Sequence, residues 1–189
     1  MKLKTENEIY TKIRNAANQV MVEQKLSAII SDKAVFVGDS IMTGFCYYAT
    51  SISASCVVSS DFLAQNSYAV YHAIKPLEED EHQPIYQGVK DNIWNIIPNL
   101  DVDKVFIMFG TNDLVIYSPE TVCEKYLELI NILKEKNPDI DIYVISMTST
   151  YPGINKNSLN NQGVAWMNTY MGMQAPYLGY KYLNLNKYV

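Results

Sequence analysis

The chain has 189 residues, of which 48% are hydrophobic and 19% charged, with a formal net charge of −5. That length suffices for one domain burying roughly 70% of the surface its unfolded form exposes. The acidic balance and the scattered Lys and Arg leave no basic stripe to neutralise phosphates, which argues against nucleic acid as a partner.

No run approaches the ~18 apolar residues that suggest a membrane span. No apolar run follows the first lysines in MKLKTENEIYTKIRN, so the sequence as written reads as cytoplasmic, or as extracellular if an export signal has been removed. Cys46, Cys56 and Cys123 are an odd set without CxxC spacing, which predicts free, packed thiols and no zinc site.

In chain order, residues 6–30 predict a helix, with Ile9, Ile13, Ala16, Ala17 and Val20 at i, i+3, i+4 spacing. AVFVGDS reads as a buried strand at 34–37 ending in a polar turn, and CVVSSDFLA, 56–64, as a second strand. AVYHAIKPL reads as a helix carrying His72. The stretch 75–92 is acidic, contains Pro76, Pro84 and Gly88, and is expected to be a solvated surface excursion within the one domain. KVFIMFG at 104–110 is a third, almost wholly apolar strand.

A helix should start behind Ser118 as N-cap, with Pro119 at its first position and Val122, Tyr126, Leu129, Ile130 and Leu133 on one face. Lys134 and Lys136 suit its carboxyl end, and Asn137-Pro138 ends it. IDIYVISM at 140–147 is a fourth strand, and KYLNLN at 181–186 a weaker fifth. Strands alternating with helices predict right-handed βαβ units and a parallel sheet covered on both faces.

In such sheets ligands bind beyond the carboxyl ends of the strands. The first strand leads into Gly38-Asp39-Ser40, where Gly38 permits a sharp turn and Ser40 begins a helix whose free N–H groups favour negative charge. Taken alone, Ser40 could equally be a helix cap. The third strand leads into Gly110-Thr111-Asn112-Asp113, where Asn112 could offer its amide to an oxyanion or simply cap a turn. The sequence around Ser40 is not a G-x-S-x-G elbow, because residue 42 is Met.

FVGDS after the first strand and FGTND after the third together resemble the first and third signature blocks of the SGNH (GDSL-like) hydrolases, over about Ala34 to Val189. The resemblance implies a three-layer, flavodoxin-like α/β fold with a five-stranded parallel sheet of order 2-1-3-4-5. It implies Ser40 as nucleophile of an ester hydrolase, Gly38, Asp39, Gly110 and Asp113 as supporting loop residues, and no metal or cofactor. The implied oxyanion hole is the Ser40 N–H, a backbone N–H after the second strand and the Asn112 side chain. The second block usually presents a glycine there. In Ala64-Gln65-Asn66-Ser67-Tyr68 the equivalent is placed at Ser67, then Asn66, with Gly88 a weaker candidate.

The family's Asp-x-x-His block, whose histidine is the general base, occurs nowhere in the sequence, and Asn184 is not an equivalent of its acid. His72 and His82 are the only histidines, and both are expected to be structural or surface residues. The expected function is hydrolysis of a small-molecule ester or acylated carbohydrate through a Ser40 acyl-enzyme, weak in this chain, which reads as incomplete at its carboxyl end. The alternative is a non-catalytic relative that binds a glycan or acylated ligand. Tyr47, Tyr48, Tyr68 and Tyr71 should lie near the site, mainly as core, and Thr148–Gly153 should line the cleft. Apolar surface left behind the fifth strand makes a homo-oligomer an expectation as well.

Overall fold

The structure is a computed structural model describing residues 33–52, 57 and 59–185. The predicted helix at 6–30 and Cys56 lie outside the described residues.

Five strands form one parallel sheet: β1 (Ala34–Gly38), β2 (Asp61–Ala64), β5 (Lys104–Met108), β6 (Asp141–Ile145) and β7 (Lys181–Leu183), in the order β2-β1-β5-β6-β7. This is the predicted 2-1-3-4-5 order. The helices are α1 (Ser40–Ser51), the one-turn α2 (Val70–Ala73) and α3 (Ile93–Ile96), α4 (Pro119–Lys136) and α5 (Asn161–Leu178).

Alternate residues of each strand face opposite layers. Val35, Val37, Val105, Ile107, Ile142 and Val144 pack with α4 and α5, while Ala34, Phe36, Phe106 and Met108 pack with Met42 and Ala49 of α1. On the α1 face, Phe62, Phe36, Phe106 and Tyr143 stack as one row across four strands, with successive ring centroids 5.1, 4.9 and 4.7 Å apart. Lys181 Nζ closes the row 4.7 Å from the Tyr143 ring. All five residues are register partners, so a one-residue slip of any strand would throw its member to the other face.

The predicted strands are right in place; the first gains Gly38, and the other four are predicted too long at their ends. The second starts at Asp61 because Ser60 N–H turns back to Val57 O at 3.0 Å. The third stops at Met108, two residues before Gly110 takes φ +129°. The fifth stops at Leu183, and Leu185 N–H leaves the ladder for Ser146 Oγ at 2.9 Å. Helix α4 has the predicted bounds, with Thr121 N–H donating to Ser118 Oγ and Cys123 joining the predicted apolar face.

The stretch 75–92 departs from a purely solvated excursion. Gln83 and Asn92 are buried within it, with Gln83 Nε2 donating to His72 O at 2.8 Å and Asn92 Nδ2 to Lys75 O at 2.6 Å. Its outer part is a hairpin, β3 (Ile85–Tyr86) against β4 (Val89–Lys90). The two-residue turn of Gln87 and Gly88, both with positive φ, matches the twist of paired strands. Gly88 therefore serves this turn and is not the glycine of an oxyanion loop. Among the described residues no helix is long and apolar enough to cross a membrane.

Candidate active site

Asp39, not Ser40, caps α1. Its backbone is extended, and its Oδ1 accepts the Ile41 N–H at 2.9 Å. The cap position is thereby filled, and Ser40 becomes the first helical residue, exposed, with no hydrogen-bond partner for its hydroxyl among the described residues. The reading of Ser40 as a cap is thus replaced by a free hydroxyl at a helix N-terminus.

Gly38 makes this turn through space rather than through a left-handed backbone. A Cβ there would meet Met108 O at 2.7 Å and Met42 Cβ at 2.8 Å. Gly110 combines φ +129° with a Cβ position only 2.4 Å from Met147 Sδ.

The loop after β2 contains the third feature. Ser67 has φ +61°, in the region glycine adopts freely, and is exposed. Asn66 has no positive φ, so the glycine-like position of this loop falls on Ser67. Tyr68 N–H closes the turn on Gln65 O at 3.1 Å, and Gln65 N–H donates to Gly38 O at 3.2 Å, tying this loop to the Ser40 turn.

Asn112 joins the three loops. Its Nδ2 donates to Tyr68 O at 3.0 Å and to Asp39 Oδ2 at 3.3 Å. Both amide hydrogens thus have acceptors, and the bond to Asp39 is the longer of the two. Asp113 is wholly buried and holds the start of α2, its carboxylate accepting the Val70 and Tyr71 N–H groups at 3.3 Å each.

Burial pushes both carboxyls beneath the site upward. For Asp113, desolvation outweighs the backbone N–H bonds, the negative charge of Asp39 adds to it, and the carboxyl is pushed up to about 6. For Asp39, desolvation again exceeds the lowering by backbone N–H bonds. Because the Asp113 value lies above that of an unfolded aspartate, the folded state holds this proton more tightly. The resulting stability is full below about pH 4 and is lost as the pH rises through about 6. The loss is on the order of 2–3 kcal/mol. Asp113→Asn should therefore flatten the fall in thermal midpoint between pH 4.5 and pH 7. Parallel wild-type and variant curves would show that Asp113 titrates as it does in the unfolded chain.

The tyrosines divide. Tyr68 is core, with its hydroxyl on Gln83 Oε1 at 2.7 Å, but Tyr47 and Tyr48 are exposed rather than packed. Ser149 lines a cavity of about 320 Å³ between α5 and the ends of β6 and β7, together with Asn161, Asn168, Thr169 and Asn184. Ser40, Ser67 and Asn112 do not line it. Cys46 and Cys123 are free thiols, and burial pushes the Cys123 thiol up to about 12. Among the described residues no three His, Cys, Asp or Glu side chains are grouped to hold a metal.

His72 and His82, expected to be structural or surface residues, lie together, with ring centroids 4.6 Å apart. His72 Nδ1 is 2.6 Å from Asp80 Oδ2, and His82 Nε2 is 3.2 Å from Asn66 O. Their ten-residue separation in the sequence carries no helical or strand period that would have paired them.

Comparison with solved structures decides the fold family. A GDSL-like lipase from Bacteroides thetaiotaomicron matches with TM-score 0.60 at 14% identity, over 85% of this chain and 75% of its own. The chain has the SGNH hydrolase fold. A carbohydrate esterase family 3 protein from Talaromyces cellulolyticus matches at TM-score 0.53 and 16% identity, over 80% of this chain and 78% of its own. A member of the lipolytic G-D-S-L family from Veillonella parvula matches at TM-score 0.52 and 14% identity, over 80% and 76%. No protein-family model matches the sequence, and no curated protein does.

Proposed function

We propose that this SGNH-fold protein is a serine-dependent hydrolase of small polar esters, with acylated carbohydrates as one substrate class. The observation that carries this is the exposed Ser40 hydroxyl at the first turn of α1, without a partner among the described residues because Asp39 does the capping. The fold supports the same reading, since solved structures that share it include a lipase and a carbohydrate esterase.

Ser40 Oγ attacks the ester carbonyl. The tetrahedral oxyanion is met by the Ser40 and Ser67 N–H groups and by Asn112 Nδ2, the alcohol leaves, and water releases the acyl group from Ser40. The hydroxyl proton passes to a general base and then to the leaving alcohol. Asp39 and Asp113 shape the loops around the site and do not touch the reacting atoms.

The test is a serine-directed phosphonate at high concentration and long exposure, followed by peptide mass spectrometry. Modification should map to Ser40 and be absent in Ser40→Ala. Adducts spread over other hydroxyls, with Ser40 unmodified, would refute the assignment. The second reading is a glycan- or acyl-binding protein without turnover, which predicts no Asp-x-x-His block beyond residue 189. An open reading frame that reaches such a block soon after codon 189 would count against it.

A further inference from the structure

The strongest arrangement outside the reacting groups is the contact between the 75–92 stretch and the loop after β2. Ser67 holds a left-handed backbone, which is strained for a side-chain-bearing residue and persists only where neighbours enforce it. Besides Gly38 and Asn112, those neighbours come from the other segment. His82 Nε2 lies 3.2 Å from Asn66 O, and its Nδ1 lies 3.1 Å from Gln65 Nε2.

A carbonyl can only accept, so Nε2 carries the ring proton, while the Gln65 amide nitrogen, 3.1 Å from Nδ1 and 3.3 Å from Nε2, packs over the face of the ring. One ring thus grips the two residues that immediately precede Ser67. His82 is itself held, because its N–H donates to Asp80 Oδ1 at 2.9 Å while Asp80 Oδ2 accepts from His72 Nδ1 at 2.6 Å. Behind it, the buried Gln83 ties Tyr68, on the far side of Ser67, to the same segment through the Tyr68 hydroxyl.

We infer that His82 is a positioning residue for the oxyanion loop: its Nε2–H on Asn66 O, with its ring face against the Gln65 amide, holds Ser67 with its N–H set for the developing oxyanion. This rests on the reading of Ser67 as an oxyanion donor. It gives the acidic stretch a task in substrate activation, and it assigns His82 a role other than general base. Burial pushes the Asp80 carboxyl up, but the His72 bond, the His82 N–H and the charges of His72 and Lys75 together hold it below its ordinary value. The anchor of His82 is therefore an anion.

Acetate serves as the probe, since one carboxylate oxygen can occupy the place of an ester oxyanion. Backbone amide shifts of Ser40 and Ser67 are followed by NMR during titration, and amide exchange is followed at Ser67 and Tyr68. His82→Phe keeps the ring face and loses the bond to Asn66 O. It should weaken acetate at least tenfold and speed exchange at Ser67 and Tyr68 at least tenfold. His82→Gln keeps a donor and an acceptor at its tip and should restore both to within about threefold of wild type.

In the unaltered chain the ¹⁵N spectrum should show a protonated His82 Nε2 and a bare Nδ1, a measurement that needs no variant to fold. Unchanged acetate affinity and exchange in His82→Phe, or a bare Nε2 in the wild type, would overturn the inference. If the wild type shows no acetate shifts at Ser40, the oxyanion site itself fails, and the exchange data and ring tautomer still decide whether His82 holds the loop.

Discussion

Supplied with a general base, Asn112→Ala should lower kcat by roughly 10²–10³-fold, the usual effect of removing one positioned oxyanion donor. The base can come from a chain extended behind β7 with an Asp-x-x-His segment, or from imidazole in the buffer. The Asn112 amide is already oriented by Tyr68 O at 3.0 Å, so one of its hydrogens is fixed and the plane of the amide with it. The other is shared with Asp39 at 3.3 Å, a long bond that a fully charged oxyanion can replace as the tetrahedral intermediate forms. Because that exchange occurs only as charge develops, the variant should lose kcat with little change in KM. A folded Asn112→Ala protein with unchanged kcat would reduce Asn112 to a link between three loops.

The sheet was legible because its strands are short apolar runs separated by turn residues, and Ser118-Pro119 marks a helix start that needs no tertiary contact to interpret. Helix α5 was harder to read. Residues 161–178 contain no charged side chain, include Gly163, Gly172 and Pro176, and place aromatic and Met residues all round the helix, so no single apolar face stands out. Its caps, Asn160 on Gly163 N–H and Gly179 at φ +68°, were the available signals.

At the site, the residues of the first and third loops could be named from the sequence, and Ser67 could be picked as the glycine-like position. Which residue does the capping could not. Asp39 and Ser40 are both good caps by residue type, and only the extended backbone of Asp39 separates them. The grip of His82 on the β2 loop was illegible for a different reason. It is a contact between segments 16 residues apart in the chain, made by a ring whose partners are a backbone carbonyl and a neutral amide, neither of which leaves a charge or periodic pattern.

The 189-residue chain by itself should be a poor esterase. A serine hydroxyl attacks slowly unless a base within hydrogen-bond reach takes its proton. The two histidines of the sequence are both committed elsewhere, His72 to Asp80 and His82 to Asn66 O and Gln65. The family resemblance places its histidine after the fifth strand, and neither His72 nor His82 follows β7. The buried Asp113 carboxylate is spent on two backbone N–H groups. What remains is the oxyanion hole and binding, which in sites that have lost a triad member still give about 10³–10⁴-fold over water. An activated acetyl ester should therefore be cleaved far more slowly than once per second, and imidazole should raise the rate in a Ser40-dependent way. Turnover of several per second without imidazole that disappears in Ser40→Ala would refute the claim. It would mean that His72 or His82 leaves its partners to reach Ser40, or that a second chain brings the base.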